Sequence, residues 1–190
     1  FEFTDNSNSL GAIYIVRDPR DVCISWANHT GRTYDQSIDF MTNDVQSLLW
    51  IKGENNLFHD ENIPQSFLSS WDKHVTSWTS NNWNYPLLIL RFEDLVYKKE
   101  ETIRLIANFF KDNFGFKFHD LDNKIMNILE STSFQNLKEK ELKEGFAEAQ
   151  NGRQFFKSGK KDQWKTKLKK DQILKIEEKF KKTIFKFNYK

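Results

Sequence analysis

The chain has little of what marks secreted, metal-binding or membrane-spanning proteins. Its 190 residues include one cysteine, Cys23, which excludes an internal disulfide and favours a reducing compartment. No window approaches the roughly 18 continuous apolar residues of a membrane helix, and no basic-then-apolar leader marks export. The four histidines lack the paired spacing of metal ligands. We therefore expect a soluble, cytoplasmic protein with no membrane partner and no metal.

Proline and glycine are also scarce, at 3 and 7 residues, and no Pro/Gly/Ser-rich linker or internal repeat divides the chain. The length is that of one domain with a substantial core, to which 18 Phe and 6 Trp contribute. We predict a single domain over residues 1–190. Because the first residue is Phe rather than Met, we expect a processed chain or a piece of a longer protein.

Positive charge is concentrated at one end of a chain whose net charge is only +2. Residues 153–190 hold 14 Lys and Arg against 4 Asp and Glu. This imbalance indicates either an anionic partner, such as phosphate, sulfate or nucleic acid, or a solvated lysine-rich helix face. Basic and aromatic residues do not interleave as in RNA-binding segments, so we expect no nucleic-acid partner.

The most informative segment is a short strand followed at once by a helix. The β-branched run 12–16 is typical of a parallel strand covered on both faces. Asp18 then fits a helix N-cap and Pro19 the first helical position, and Asp21 fits the acidic position of a capping box. The sequence therefore predicts a strand ending at Val16 and a helix over 19–29.

Arg17 stands at the carboxyl end of this strand, where open α/β sheets bind their ligands. Ser25, eight residues later, lies about two helical turns on and offers a hydroxyl. An arginine fork beside a helix start suits a phosphate group. The alternative is an ordinary salt bridge from Arg17 to Asp18 or Asp21.

A second buried strand is predicted at 86–92, with helical sequence between the two strands. This strand–helix–strand unit predicts parallel pairing through a right-handed crossover. Residues 145–159 show little apolar periodicity and predict a long irregular segment, of a length that is usually either functional or disordered. Further helices are predicted over 34–52, from Pro64 through Trp78, and over 100–110, 120–129 and 163–187.

Four segments together resemble the sulfotransferases that use 3′-phosphoadenosine 5′-phosphosulfate (PAPS). They keep that family's order and spread over nearly the whole chain. The resemblance implies a helix-rich α/β, three-layer P-loop-like fold with a central parallel sheet flanked by helices, its N-terminal part absent. The segments are 14–25, 71–78 with 88–95, 132–138, and 155–159 with Trp164 and Lys165.

By this resemblance, Arg17 and Ser25 would hold the 3′-phosphate of the cofactor. Lys157 and the backbone around Ser158 and Gly159 would add contacts to the same phosphate. The family usually has an Arg-Lys pair where Lys157 and Ser158 stand, so one cation is lost here.

The resemblance also implies an adenine pocket. Phe92 would flank the base, while Thr132, Ser133 and Phe134 would enclose it. Phe92 stands where the family usually has tyrosine, which keeps the ring and loses the hydroxyl. The family's usual dimer motif after Trp-Lys is not recognisable, so the oligomeric state is not predicted.

Two catalytic elements of the family are not found in the sequence. These are the Pro-Lys-x-Gly-Thr loop for the 5′-phosphosulfate and the histidine that deprotonates the acceptor, and we expect both upstream of Phe1. The expected enzyme transfers a sulfuryl group from PAPS to a hydroxyl or amine of a small-molecule or glycan acceptor, leaving adenosine 3′,5′-bisphosphate (PAP). This chain would supply the 3′-phosphate and adenine site and would be inactive alone. The alternatives are a non-catalytic truncated nucleotide-binding protein, a P-loop nucleotide kinase and, least favoured, an RNA-binding protein.

Overall fold

The structure is a computed structural model that describes residues 8–45, 47–48, 66–80, 84–146 and 154–189. Helices dominate these residues, and the strands are short. In chain order the elements are β1 (Ala12–Val16), α1 (Pro19–Thr30), α2 (Tyr34–Thr42), β2 (Ser47–Leu48), β3 (Ser66–Phe67), α3 (Trp71–Thr79), β4 (Leu87–Arg91), α4 (Phe92–Tyr97), α5 (Lys99–Phe114), α6 (Leu121–Ser131), α7 (Phe134–Glu144), α8 (Trp164–Lys167) and α9 (Lys170–Lys186).

The two predicted strands form and pair in parallel, as the sequence indicates. β1 and β4 run in register from Ala12 opposite Leu87 to Val16 opposite Arg91. The expectation that β1 is covered on both faces was wrong, because Ile13 and Ile15 are 37% and 50% exposed. These two side chains point to the same face of the strand, and that face is thinly covered in the part of the chain that the structure describes.

The chain divides into two compact units. The first contains β1, β4 and α4–α7 together with residues 154–161, and its buried side chains include Val16, Leu90 and Ile125. The second contains α1–α3, the short β2–β3 pair, α8 and α9, and its core includes Ile38 and Phe180. The predicted single domain over 1–190 stays a prediction.

Local signals explain the start and the end of α1. The Asp18 carboxylate accepts a hydrogen bond from the Arg20 backbone N–H at 2.9 Å, and Gly31 ends the helix at φ 73°. The expected capping box through Asp21 is wrong as to partner. Its carboxylate, only 1% exposed, accepts from the backbone N–H groups of Asp162 (2.7 Å) and Trp164 (3.1 Å) instead. The buried aspartate thus holds a segment about 140 positions away in sequence.

Helix α2 is shorter than the predicted 34–52. It begins at a capping box between Thr33 and Gln36 and ends at Thr42, because Asn43 has extended backbone. Ser47–Leu48 then pairs antiparallel with Ser66–Phe67, while 49–52 lies outside the described residues.

The next helix also begins later than expected. Pro64 lies outside the described residues, Ser66–Phe67 is extended, and α3 begins at Trp71. The predicted C-terminal helix is interrupted at Leu168, where extended backbone separates α8 from α9. The helices expected over 100–110 and 120–129 are confirmed as α5 and α6.

The lysine-rich α9 contacts α2 and its C-terminal flank within the second unit. Lys175 pairs with Asp39 at 2.6 Å and Lys179 with Asp44 at 3.4 Å. These ion pairs favour the interpretation of this end of the chain as a solvated helix face. No helix in the described ranges combines the length and apolarity needed to cross a bilayer.

Candidate functional site

Arg17 and Phe92 meet at the carboxyl ends of the paired strands. β1 ends at Val16 opposite Arg91, so the next residue of each chain segment leaves the same edge of the sheet. The Arg17 guanidinium lies 4.3 Å from the centroid of the Phe92 ring, within the range of a cation–π contact. The two residues that were assigned to the phosphate and the base are therefore neighbours.

The irregular segment 154–161 reaches this edge at its far end. Arg17 Nη2 donates to the backbone oxygen of Lys160 at 3.4 Å. The Tyr97 hydroxyl accepts from the Lys161 N–H at 3.2 Å, and the Lys161 ammonium lies 4.6 Å from the Tyr97 ring. Helix α4 and Arg17 together therefore hold the end of the segment.

Gly159 is required by a close approach inside the first unit. Its φ is +59°, and a Cβ built there would lie 2.5 Å from Phe134 Cδ2. A side chain here would have to displace the Phe134 ring and would hold a strained positive φ, so glycine suits the position. Phe134 and Gly159, predicted on separate segments, are thereby brought together.

Thr132 and Ser133 lie at the junction of α6 and α7. The Thr132 hydroxyl donates to the Ile128 backbone oxygen at 2.5 Å, and the Ser133 hydroxyl oxygen accepts from the Asn136 N–H at 3.2 Å as the N-cap of α7. The Lys99 ammonium donates to the Thr132 backbone oxygen, and burial lowers the pKa of this lysine. The hydroxyl proton of Ser133 remains available for a ligand.

Lys157 and Ser158 directly precede Gly159 in the same segment. Lys157 is exposed, and in the described part of the chain its ammonium forms no ion pair. Ser158 is half-buried. An unpaired lysine on an ordered backbone is suited to contact an anion.

Ser25 belongs to the second unit, on the exposed side of α1. Its buried neighbours Cys23, Ile24 and Ala27 face the core of that unit. The other eight candidate residues all lie in the first unit.

The arginine that pairs with Asp18 is Arg20. Its guanidinium contacts the Asp18 carboxylate at 2.7 Å and Glu177 at 2.6 Å, and lies 3.8 Å from the Trp164 ring centroid. Sequence reasoning considered Asp18 as a partner for Arg17 and did not consider Arg20. The alternation of acidic and basic residues in this stretch leaves the pairing open, since each carboxylate has two arginines within reach in sequence.

Sequence reasoning also missed Tyr97, Lys99 and Glu141. Tyr97 and Lys99 bond to backbone groups of distant segments. Glu141 accepts from the backbone N–H groups of Phe155 and Phe156. Backbone partners leave no trace in residue types, so no sequence signal could have identified these contacts.

The chemistry of this arrangement suits an anionic nucleotide. It offers a guanidinium, a lysine ammonium, an aromatic ring and a serine hydroxyl, with no carboxylate among the eight residues. Across the described ranges, no three His, Cys, Asp or Glu side chains cluster closely enough to hold a metal ion. The donor set fits a phosphate and a base rather than a cation.

The known proteins to which this chain is similar in sequence are sulfotransferases. A family model described as "Sulfotransferase domain" matches residues 6–188. The chain is similar to luciferin sulfotransferase of Photinus pyralis, with 27% identity over 90% of this chain and 44% of the relative. It is also similar to sulfotransferase 2A6 of Mus musculus, with 28% identity over 84% of this chain and 51% of the relative. The chain thus spans about half the length of these relatives.

Solved structures share the fold. Mouse sulfotransferase SULT7A1, complexed with PAP, superposes with a TM-score of 0.63 at 20% identity, covering 90% of this chain and 57% of that one. Retinol dehydratase in complex with androsterone and inactive cofactor PAP also gives 0.63, at 19% identity, covering 90% of this chain and 46% of that one. The α/β, P-loop-like fold class is thereby confirmed. With nearly all of its residues matched by the family model, the chain belongs to the sulfotransferase domain family.

Proposed function

We propose that the protein is a PAPS-dependent sulfotransferase and that this chain contributes the 3′-phosphate and adenine contacts of its cofactor site. The observation that carries the proposal is the meeting of Arg17 and Phe92 at the carboxyl edge of the parallel strands, with segment 154–161 bonded to Arg17. Ligands bind at this edge in open α/β sheets. The neighbours solved with PAP share this fold.

Each residue of the proposed site has a defined task. Arg17 and Lys157 supply positive charge for the 3′-phosphate, and the backbone around Ser158 and Gly159 approaches the same group. Ser25 is the additional hydroxyl that the family resemblance assigns to this phosphate, and its place in the second unit makes it the least supported of the set.

The proposed adenine contacts are Phe92, Thr132, Ser133 and Phe134. The Phe92 ring offers one face to the base while Arg17 lies against the ring. The Ser133 hydroxyl, whose oxygen caps α7, can donate its proton to a ring nitrogen. Phe134 supplies a second aromatic surface beside Gly159.

PAPS, when bound, supplies the sulfuryl group that is transferred to a hydroxyl or amine of a small-molecule or glycan acceptor. The residues of this chain bind and orient the nucleotide part of PAPS, and their positive charge favours binding of its 3′-phosphate. We assign no residue of this chain to the 5′-phosphosulfate or to deprotonation of the acceptor. A cytoplasmic setting is part of the proposal, supported by the single buried cysteine.

The test compares two isomers of equal charge, adenosine 3′-monophosphate and adenosine 5′-monophosphate, by isothermal titration of the chain. We expect at least tenfold preference for the 3′ isomer, because a charge-assisted contact to phosphate contributes about 1.5–3 kcal/mol. Arg17→Ala should reduce the preference strongly, with Lys157 and the backbone around Ser158 and Gly159 still in contact with the phosphate. Arg32→Ala is the matched control, since Arg32 also lies over a phenylalanine, with its guanidinium 5.0 Å from the Phe40 ring centroid.

Equal affinity of the wild-type chain for the two isomers would overturn the assignment of the 3′-phosphate. An unchanged preference in Arg17→Ala would remove Arg17 from the site. Selective binding without sulfuryl transfer, in a protein of the relatives' length, would support the alternative of a non-catalytic nucleotide-binding protein.

A further inference from the structure

Helix α7 has one buried side chain, and it is a carboxylate. Glu141 is 8% exposed, whereas the other side chains of this fully described helix are partly or largely exposed. Both of its oxygens accept backbone hydrogen bonds: Oε1 from the Phe155 N–H and Oε2 from the Phe156 N–H at 3.0 Å. No salt bridge in the described part of the chain involves Glu141. Its negative charge is therefore committed to two consecutive amides of a distant segment, in bonds stronger than neutral ones.

Aromatic packing reinforces the same attachment. Phe146, just beyond the end of α7, lies 4.6 Å from the Phe155 ring and 5.4 Å from the Phe156 ring, measured between centroids. Gly145, with φ +76°, ends the helix just before Phe146. The polar and apolar attachments of residues 155–156 thus both come from the C-terminal end of α7.

The N-terminal end of α7 holds the other side of Lys157. Phe134 begins the helix and packs against Gly159. From Phe134 to Glu141 the helix rises about 10 Å at roughly 1.5 Å per residue. The segment opposite is bent rather than extended: the backbone bends at 155–157, where the Lys157 N–H donates to the Phe155 backbone oxygen at 2.9 Å. Lys157 and Ser158 therefore lie in sequence between two points that α7 fixes, one at Glu141 and one at Phe134.

We propose that Glu141 is a positioning residue that sets the backbone of this segment, and through it Lys157 and Ser158, for the 3′-phosphate of the nucleotide. The inference rests on the proposed function, since it assigns a purpose to the fixed backbone. Glu141 does not itself touch the ligand. It acts by ordering the segment before binding, which reduces the ordering cost that the ligand would otherwise meet.

The test uses Glu141→Gln, which keeps the shape of the side chain but presents one acceptor oxygen to two N–H groups. The matched control is Glu144→Gln on the same helix, where the carboxylate forms only an exposed pair with Lys140 at 3.9 Å. Amide hydrogen exchange reports the attachment directly. We expect exchange at Phe155 and Phe156 to be at least tenfold faster in Glu141→Gln and unchanged in Glu144→Gln.

Affinity for the two adenosine monophosphates then reports the purpose of the attachment. We expect Glu141→Gln to bind the 3′ isomer about tenfold more weakly and the 5′ isomer as the wild type does. A general structural defect would weaken both isomers alike. If Glu141→Gln lacks a cooperative melting transition, Glu141→Asp, which keeps the charge on a shorter side chain, takes its place with the same expectations.

Unchanged exchange at Phe155 and Phe156 would overturn the attachment itself. Faster exchange with wild-type affinity for the 3′ isomer would show that the attachment has no bearing on the ligand, and the proposal would fail. A wild-type chain that does not distinguish the isomers would overturn the proposed function and this inference together. The wild-type titration alone separates that last case from the others.

Discussion

Replacing Arg20 by methionine should destabilise the second unit strongly. The Arg20 side chain is 2% exposed, and it donates from Nε and Nη2 to the two oxygens of Asp18 at 2.9 and 2.7 Å. It also donates to Glu177 at 2.6 Å and lies over the Trp164 ring. Methionine retains apolar bulk but leaves the buried Asp18 carboxylate without its guanidinium.

The size of the expected loss in the free energy of unfolding follows from the burial of Arg20 rather than from the number of its partners. Breaking a buried ion pair by removing one member costs about 3–5 kcal/mol, because the remaining charge stays desolvated. Arg104 is the matched control: it contacts two carboxylates, Glu100 at 2.9 Å and Asp122 at 2.8 Å, but its side chain is 42% exposed. Arg104→Met should therefore destabilise the protein far less than Arg20→Met, because the carboxylates that it leaves remain solvated.

Urea denaturation followed by circular dichroism measures both free energies of unfolding. A second substitution, Asp18→Asn, should recover part of the loss in Arg20→Met, because it removes the stranded charge while keeping an N-cap side chain. Equal losses in Arg20→Met and Arg104→Met would refute the reasoning from burial. So would a double variant less stable than Arg20→Met.

Two further predictions concern other positions. Gly159→Ala should lower the free energy of unfolding more than Gly115→Ala does. Both substitutions place a side chain at positive φ, which costs about 1 kcal/mol or more, but only alanine at 159 meets the Phe134 ring. Urea titrations that rank the two variants in the opposite order would contradict this steric argument. Burial raises the pKa of the Cys23 thiol from 9.0 to about 12, so the folded chain should resist a disulfide reagent at pH 8 and react only in urea. As the pH rises, the thiol ionises in the unfolded chain before it does so in the folded chain, so the contribution of Cys23 to stability is complete below pH 9 and falls towards pH 12. Rapid labelling of the folded chain at pH 8 would contradict the buried placement.

Local sequence signals identified the elements whose ends are set by their own residues. The β-branched run ending at Val16, the Asp18 cap and Pro19 predicted β1 and the start of α1 correctly. The parallel pairing with β4 followed from the intervening helical sequence. Where a residue acts on its own backbone or its immediate neighbours, the sequence is sufficient.

Prediction failed where a distant partner replaced the local one. Helix α7 was not predicted, because its one buried side chain is Glu141 and its sequence shows no apolar stripe. The apolar spacing after Tyr34 predicted a helix to residue 52, yet extended backbone at Asn43 ends it. Asp21 had the spacing of a capping box but accepts from Asp162 and Trp164. The failures at Glu141 and Asp21 involve contacts between positions that no periodicity relates, whereas the early end of α2 is a local change of backbone conformation.

The candidate site was predictable in its residues and only partly in its arrangement. The family resemblance named Arg17, Phe92, Phe134 and Gly159, and the structure places them in contact in pairs. The attachment of the segment through Tyr97 and Glu141 came from the structure alone. Their roles in ligand binding stay predictions until the titrations are made.

The pairing of β1 with β4 has a consequence for synthesis of the protein. Ala12 pairs with Leu87, so β1 cannot pair with β4 during synthesis until about 75 more residues have been added. At roughly 5–20 residues per second this delay is about 4–15 s. During that time the apolar run containing Ile13 and Ile15 is without β4, the strand that pairs with it in the described part of the chain. The nascent chain therefore presents a β-branched segment to chaperones well before its own partner strand exists.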